Sequence, residues 1–313
     1  MRIEPLGSAG GMSGAQFWRI TAPRGILLLR RWPPEHPPPE RLCFIHAVLR
    51  HAAQRGIAFL PLPFATRDGE TFVEHAGYLW ELAPFLPGAA DYERAPSLEK
   101  LRAAMTALAE FHLAVADFVI AGDLRVAGAA PAVTRRSARL HDLAHGGIDE
   151  LSGAITRATW PDLAPLAHQF VAALPRAVPR AIAQLEPLAG IRLPLQVCIR
   201  DIWHDHVLFT GNEVTGLIDF GAAGIDTPAT DIARLLGSLV GDDSAGWQTG
   251  LAAYSAIRPL TRDESLAAFA LNASATILAG CNWIRWLYIE HREFENRKQV
   301  IGRFRKIMTR IIQ

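Results

Sequence analysis

Two aspartates, Asp201 and Asp219, stand at opposite ends of a segment whose residue types predict a short β-hairpin. The apolar run 197–199 suits a buried strand that delivers Asp201 into a polar turn. A second β-rich run, 214–218, leads to Asp219, and Gly221 then allows a sharp backbone turn. The first carboxylate can orient a hydroxyl and accept its proton, and the second can hold a divalent metal ion. Together the two suit phosphoryl transfer.

The order of these residues along the chain is informative. Arg200–Asp201 precedes Asp219–Gly221, as the catalytic loop precedes the Asp-Phe-Gly turn in the protein-kinase signature. With Asp231 further along the chain, this set resembles the aminoglycoside phosphotransferase and choline kinase-like family of small-molecule kinases. The resemblance implies that ATP, or GTP, donates its γ-phosphoryl group to a hydroxyl of a small-molecule substrate.

The same resemblance implies an α+β, protein kinase-like fold with two lobes. A small antiparallel β-rich lobe, residues 1–82, would bind the nucleotide. A hinge at residues 83–88 would join it to a larger, mainly helical lobe, residues 89–313, that carries the catalytic and substrate-binding groups.

The roles of the loop residues also follow from the resemblance. Asp201 would be the catalytic base, with Arg200 beside it, and Asp219 would hold Mg²⁺ against the phosphates. Asp231 would brace the catalytic loop as a buried acid.

Two positions in the loop depart from the family pattern. His206 stands where the kinase loop places a metal-binding asparagine, and Trp203 stands where such small-molecule kinases carry a histidine. Mg²⁺ prefers oxygen ligands, whereas imidazole suits softer divalent ions. His206 is therefore either a metal ligand, which would admit Mn²⁺, or no ligand at all, with Asp205 beside it as another source of oxygen.

A glycine-dense turn, residues 7–14, would cover the phosphates, because glycines let backbone N–H groups approach closely. Gly10, Gly11 and Ser13 are its candidate binding residues. Arg30, at the end of a strand predicted at 26–29, occupies the place of the kinase lysine. Arginine keeps the positive charge but changes the geometry of the phosphate contact.

The acidic partner of this cation is missing from the helix predicted at 41–55, where Ile45 or His46 stands at the expected site. Three alternatives stay open: reduced activity, a different anchor, or a catalytically impaired pseudokinase that acts as a nucleotide-binding or scaffold protein.

Residues 77–88 begin like a strand and end in a Pro-Gly break, as expected of the hinge. Backbone groups of Glu81, Ala83 and Phe85 are the candidates for binding adenine.

Composition limits the remaining possibilities. The chain has 313 residues, 50% of them hydrophobic, and a formal net charge of +1, so it can bury a large core and has no global attraction to nucleic acid or membrane. The first residues lack the apolar run of a signal peptide and no stretch looks long and uncharged enough to span a bilayer, so a cytoplasmic location is expected. The three cysteines, Cys43, Cys198 and Cys281, lie on apolar segments and are expected to be reduced core residues. The sequence gives no indication of oligomeric state.

A tryptophan-rich helix is predicted at 277–293, with Trp283, Trp286 and Glu290 near one face. This face would either receive a cationic substrate or form a packing seam between helices.

Overall fold

The structure is a computed structural model and describes residues 1–7, 14–23, 25–118, 127–155, 160–294 and 296–312. The described residues fall into two compact units. The first lies within Met1–Leu124, Gln196–Gly224 and Gln248–Pro259, and the second within Arg125–Leu195, Ile225–Trp247 and Leu260–Gln313. Every predicted catalytic, nucleotide-binding or metal-binding residue that the structure describes lies in the first unit.

The first unit contains a five-stranded antiparallel sheet with the strand order β1-β2-β3-β5-β4. The strands are β1 (Arg2–Gly7), β2 (Gln16–Ala22), β3 (Gly25–Arg31), β4 (Val73–His75) and β5 (Tyr78–Pro84). The helix α1 (Pro39–Gln54) follows β3; it has a proline at its start, where the lost N–H costs nothing, and it buries Leu42, Ile45 and Val48. The register of β3 on β5 sets Arg30 directly opposite Glu81.

The rest of the described chain is mainly helical. The helices are α2 (Leu98–Ala114), α3 (Pro131–Asp142), α4 (Ile148–Ile155), α5 (Ala164–Leu185), α6 (Ala229–Leu239), α7 (Ser244–Ser255), α8 (Arg262–Ile284) and α9 (Arg297–Ile312). The short strands are β6 (Ala127–Gly128), β7 (Leu193–Pro194), β8 (Gln196–Cys198), β9 (Val207–Thr210), β10 (Glu213–Leu217) and β11 (Gly224–Asp226). The prediction of an α+β fold with a small antiparallel sheet near the amino terminus is confirmed. The lobe boundaries at 1–82, 83–88 and 89–313 stay a prediction.

The helix α8 is the centre of the second unit and packs against α3, α5, α6 and α9. A capping box between Thr261 and Glu264 fixes its first turn. Gly280 allows the close approach of α5, because a Cβ at that position would lie 2.2 Å from the ring of Phe170. An alanine there would overpack the core.

One helical run, Arg262–Ile289, is long and apolar enough to cross a membrane, with a mean hydropathy of 1.3 in its tested window. The expectation that no stretch meets this description is therefore wrong. Because 72% of that window is buried inside the protein, the run has the character of a core helix.

The cysteines agree only in part with the sequence. Cys198 and Cys281 are buried, and burial raises the pKa of the Cys281 thiol to about 12. Cys43 is exposed, so its assignment to the core is wrong. It lies on α1 between residues of the buried stripe.

The tryptophan-rich face is occupied by the chain's own cation. Trp283 and Trp286 meet edge to face with 5.2 Å between ring centroids. The guanidinium of Arg292 lies 5.1 Å from the centre of the Trp286 ring and donates to Glu290 over 2.7 Å. This arrangement favours the packing seam over a cationic substrate site.

Candidate active site

The predicted hairpin is present and sets the spacing of the two aspartates. The strand β8 leads to Asp201, a turn of 3₁₀ helix at His204–His206 follows, and β9 then pairs antiparallel with β10. Asp219 lies two residues after the end of β10. The turn between the strands uses Gly211, whose φ of 62° is left-handed.

The backbone is in an uncommon conformation at both ends of this segment. Arg200 and Asp219 have φ values of 67° and 63°, in the left-handed region, which is rare for arginine and less rare for aspartate. Such conformations cost free energy and concentrate at functional sites. The absence of a side chain at Gly224 leaves space for the Arg200 guanidinium, because a Cβ on Gly224 would lie 2.7 Å from the Arg200 Nη1 atom.

The imidazole of His206 connects the two aspartate positions. Its Nδ1 atom lies 2.9 Å from the backbone carbonyl oxygen of Asp201, and its Nε2 atom lies 3.5 Å from the Asp219 carboxylate. The predicted base and the predicted metal ligand therefore border the same side chain. The Asp219 side chain is 43% exposed, which leaves it open to a ligand.

The hydrogen bonds of His206 decide where its proton sits. The indole N–H of Trp203 donates to His206 Nε2 over 2.9 Å, and an indole nitrogen can only donate. The Asp201 carbonyl can only accept, so Nδ1 carries the proton and Nε2 offers its lone pair to Trp203. The lone pair that a metal would need is thus already engaged.

The Asp219 carboxylate suits the binding of one Mg²⁺ ion. This ion is held in proteins by one or two carboxylates together with water and substrate phosphates, and Asp219 can supply such an oxygen. His206 does not add a ligand while Trp203 holds its Nε2 atom. Asp205 lies beside His204, 3.6 Å from its Nε2 atom.

Replacing Trp203 by phenylalanine should release the Nε2 lone pair of His206 while keeping most of the ring. We expect the affinity for Mn²⁺, measured by the paramagnetic resonance of free Mn²⁺ with a non-hydrolysable ATP analogue present, to rise several-fold, roughly 1 kcal/mol for a freed hydrogen-bonding group. Mg²⁺ affinity should not change.

The control for this prediction is the double variant Trp203→Phe with His206→Ala, in which the gain should vanish. If the single variant bound Mn²⁺ no better than the unaltered protein, the indole would not be what keeps His206 from the metal.

Arg30 is largely buried in the sheet, with 14% of its side chain exposed, and it is stacked on aromatic rings. Its guanidinium carbon lies 3.2 Å from the centre of the Trp32 ring and 5.1 Å from that of Phe17. Burial lowers the pKa of Arg30, and the charges of Glu81 and Asp219 act in the opposite direction. Arg30 is thus a buried cation within the electrostatic range of the Asp219 carboxylate.

The acidic partner that is missing from α1 comes from β5 instead. Glu81 Oε1 lies 3.7 Å from Arg30 Nη1, and Glu81 Oε2 lies 2.8 Å from His46 Nε2. Burial disfavours the charged form of Glu81, but the hydrogen bond from His46 and the charge of Arg30 outweigh it, so the pKa of this carboxyl is lowered. Of the alternatives left open, the structure supplies a different anchor.

The helix α1 also holds the Asp-Phe-Gly turn. Arg41 Nη2 donates to the carbonyl oxygen of Gly221 over 3.1 Å and to that of Ala223. Burial, with the nearby charge of Arg200, lowers the pKa of Arg41. No local pattern of residues predicts this contact, because it joins residues far apart in the chain.

The predicted hinge residues lie on or just after β5. Ala83 is buried within the strand, and the N–H of Phe85 donates to the Ile26 carbonyl over 3.1 Å, so it is not available to adenine. The side chain of Glu81 is engaged with Arg30 and His46, and its predicted backbone contact with adenine stays a prediction. Gly10, Gly11 and Ser13 lie outside the described residues.

A buried cation on an antiparallel sheet, set beside an Asp-Phe-Gly turn and its catalytic loop, is the arrangement of protein kinase-like phosphotransferases. The comparisons with known proteins agree. The family model of the phosphotransferase enzyme family matches residues 4–267. A homoserine kinase of Brucella anthropi is 29% identical over 276 residues, which cover 86% of this chain and 76% of the relative.

Two further matches extend this result. A homoserine kinase of Afipia carboxidovorans is 32% identical over 235 residues, which cover 72% of this chain but only 62% of the relative's length. The crystal structure of a spectinomycin phosphotransferase with ADP and spectinomycin matches 99% of this chain and 92% of that one, with a TM-score of 0.72 and 12% identity. At that identity the likeness shows the fold alone.

The chain belongs to the phosphotransferase enzyme family, since the match spans most of its length. The predictions of a kinase-like two-lobed fold and of a small-molecule kinase with a hydroxyl acceptor are thereby confirmed.

Proposed function

We propose that this protein transfers the γ-phosphoryl group of ATP to the hydroxyl of a small molecule that resembles an amino acid. The observation that carries the proposal is the convergence on one imidazole: His206 contacts the Asp201 backbone and borders the Asp219 carboxylate. Relatives named homoserine kinases support an acceptor of the amino-alcohol type. GTP is the alternative donor.

Each group at the site would have a separate task. Asp201 would orient the acceptor hydroxyl and accept its proton, and Arg200 beside it would help fix the loop. Asp219 would hold Mg²⁺, which when bound neutralises the phosphates. Arg30 would add a second positive charge to them, so catalysis would come from positioning and charge neutralisation.

The pseudokinase hypothesis has lost one of its supports. It rested in part on the missing acidic partner of Arg30, and Glu81 supplies that partner. A scaffold role would require that the residues of the site bind nucleotide without transferring its γ-phosphoryl group.

The test is ATP consumption measured with a panel of acceptors, namely homoserine, choline and an aminoglycoside, in Mg²⁺ and in Mn²⁺. We expect consumption that depends on homoserine and exceeds the rate without acceptor. Nucleotide binding with no consumption for any acceptor in either metal would favour the pseudokinase.

The protein would work in the cytoplasm, where ATP is available, and its acceptor site would need no nucleic acid or membrane.

A further inference from the structure

Four side chains form a continuous polar chain from the sheet to α1. Arg30 on β3 faces Glu81 on β5 at 3.7 Å, and Glu81 accepts from His46 on α1 at 2.8 Å. His46 then lies 2.7 Å from the hydroxyl of Thr71. Glu81, His46 and Thr71 are largely or fully shielded from water, with 11%, 3% and 8% of their surface exposed.

The two oxygens of Glu81 are used separately. Oε2 accepts the hydrogen bond from His46 Nε2, which must carry a proton because an ionised carboxylate only accepts. The carboxylate is thereby fixed in rotation, and Oε1 is left facing Arg30. Thr71 in turn fixes the other nitrogen of the ring.

Arg30 has donors to spare. Its distance to Glu81 is too long for a hydrogen bond, and within the described ranges of the chain its guanidinium makes none. Its Nε atom is buried and has no hydrogen-bond partner among the residues that the structure describes. A buried guanidinium with unused N–H groups is suited to an oxyanion that arrives with the ligand.

We infer that Glu81 and His46 are positioning residues that hold Arg30 for the phosphates of the nucleotide, with His46 standing in for the acidic residue that kinases carry on this helix. The inference rests on the proposed function. It differs from the kinase pattern in that the acid comes from the sheet and the helix contributes a hydrogen-bond donor. The helix α1 also holds the Asp-Phe-Gly turn through Arg41. One helix therefore positions both Arg30 and the turn that carries Asp219.

The test compares two ligands, ADP with Mg²⁺ and adenosine, by calorimetric titration of the full chain. Under the proposed function Arg30 contacts the phosphates, which adenosine lacks, so Glu81→Gln and His46→Leu should each weaken ADP binding roughly tenfold and leave adenosine binding unchanged. His46→Gln keeps an N–H donor near the same place and should restore most of the affinity for ADP. Glu40→Gln, an exposed acid on the same helix, is the matched control and should bind both ligands normally.

The outcomes separate the two proposals. Equal loss of ADP and adenosine affinity would mean that the network only supports the fold, and unchanged ADP affinity in His46→Leu would mean that it does not position Arg30; either result overturns the inference. If the unaltered protein bound neither ligand, the proposed function itself would fail. Folding of each variant is checked by its circular dichroism and melting temperature, and His46→Gln provides the readout should His46→Leu not fold.

Discussion

Asp201→Asn should lower turnover by about a thousandfold and leave the affinity for ATP within about a factor of two, because a positioned base contributes on the order of 10² to 10⁴ to a rate. The variant keeps the size and shape of the side chain but cannot take a proton from the acceptor. Asp201 follows a left-handed residue, and its carbonyl oxygen, which accepts from His206 Nδ1, is unchanged in the variant. The measurement is single-turnover phosphoryl transfer alongside ATP binding.

Asp68→Asn serves as its control, since Asp68 lies in an exposed turn of the same unit. Normal turnover in Asp201→Asn would show that another group accepts the proton or that none needs to.

Asp219→Asn should remove the metal-dependent part of nucleotide binding. In the unaltered protein, ATP with Mg²⁺ should raise the melting temperature more than ATP alone, because a ligand that binds only the native state stabilises it. The variant should lose this increment, and its turnover should fall roughly a thousandfold with the loss of several kcal/mol of charge stabilisation. The rise in melting temperature caused by adenosine should persist, since adenosine carries no phosphate to share with the metal ion.

A metal-dependent increment that survived in Asp219→Asn would place the ion elsewhere. In that case Asp205 would be the next residue to replace.

The sequence was sufficient to predict the hairpin and the order of its acids. Local signals carried that prediction: an apolar strand, a cluster of turn-forming residues and a glycine after Asp219 all lie within one short segment. The small antiparallel sheet was expected from the family resemblance and not from local signals, because β3 and β5, which pair in it, are separated in the chain by α1.

The network around Arg30 was not predictable in this way. Whether Arg30 faces Glu81 depends on the register of β3 against β5, and whether His46 reaches Glu81 depends on how α1 packs on the sheet. One signal was present in the sequence: Glu81 is a lone acid in an otherwise apolar strand, and a buried acid needs a partner. The Trp203–His206 bond likewise follows from a turn of 3₁₀ helix, which brings residues three apart together.

The hydrogen bond from the Trp203 indole to His206 bears on which metal ions the site can hold. Zinc and copper bind imidazole far more avidly than magnesium does, and a free ring beside an acid would collect them. Because Trp203 engages the Nε2 lone pair of His206, this nitrogen would not attract such ions, and the site would favour the abundant magnesium that accompanies ATP.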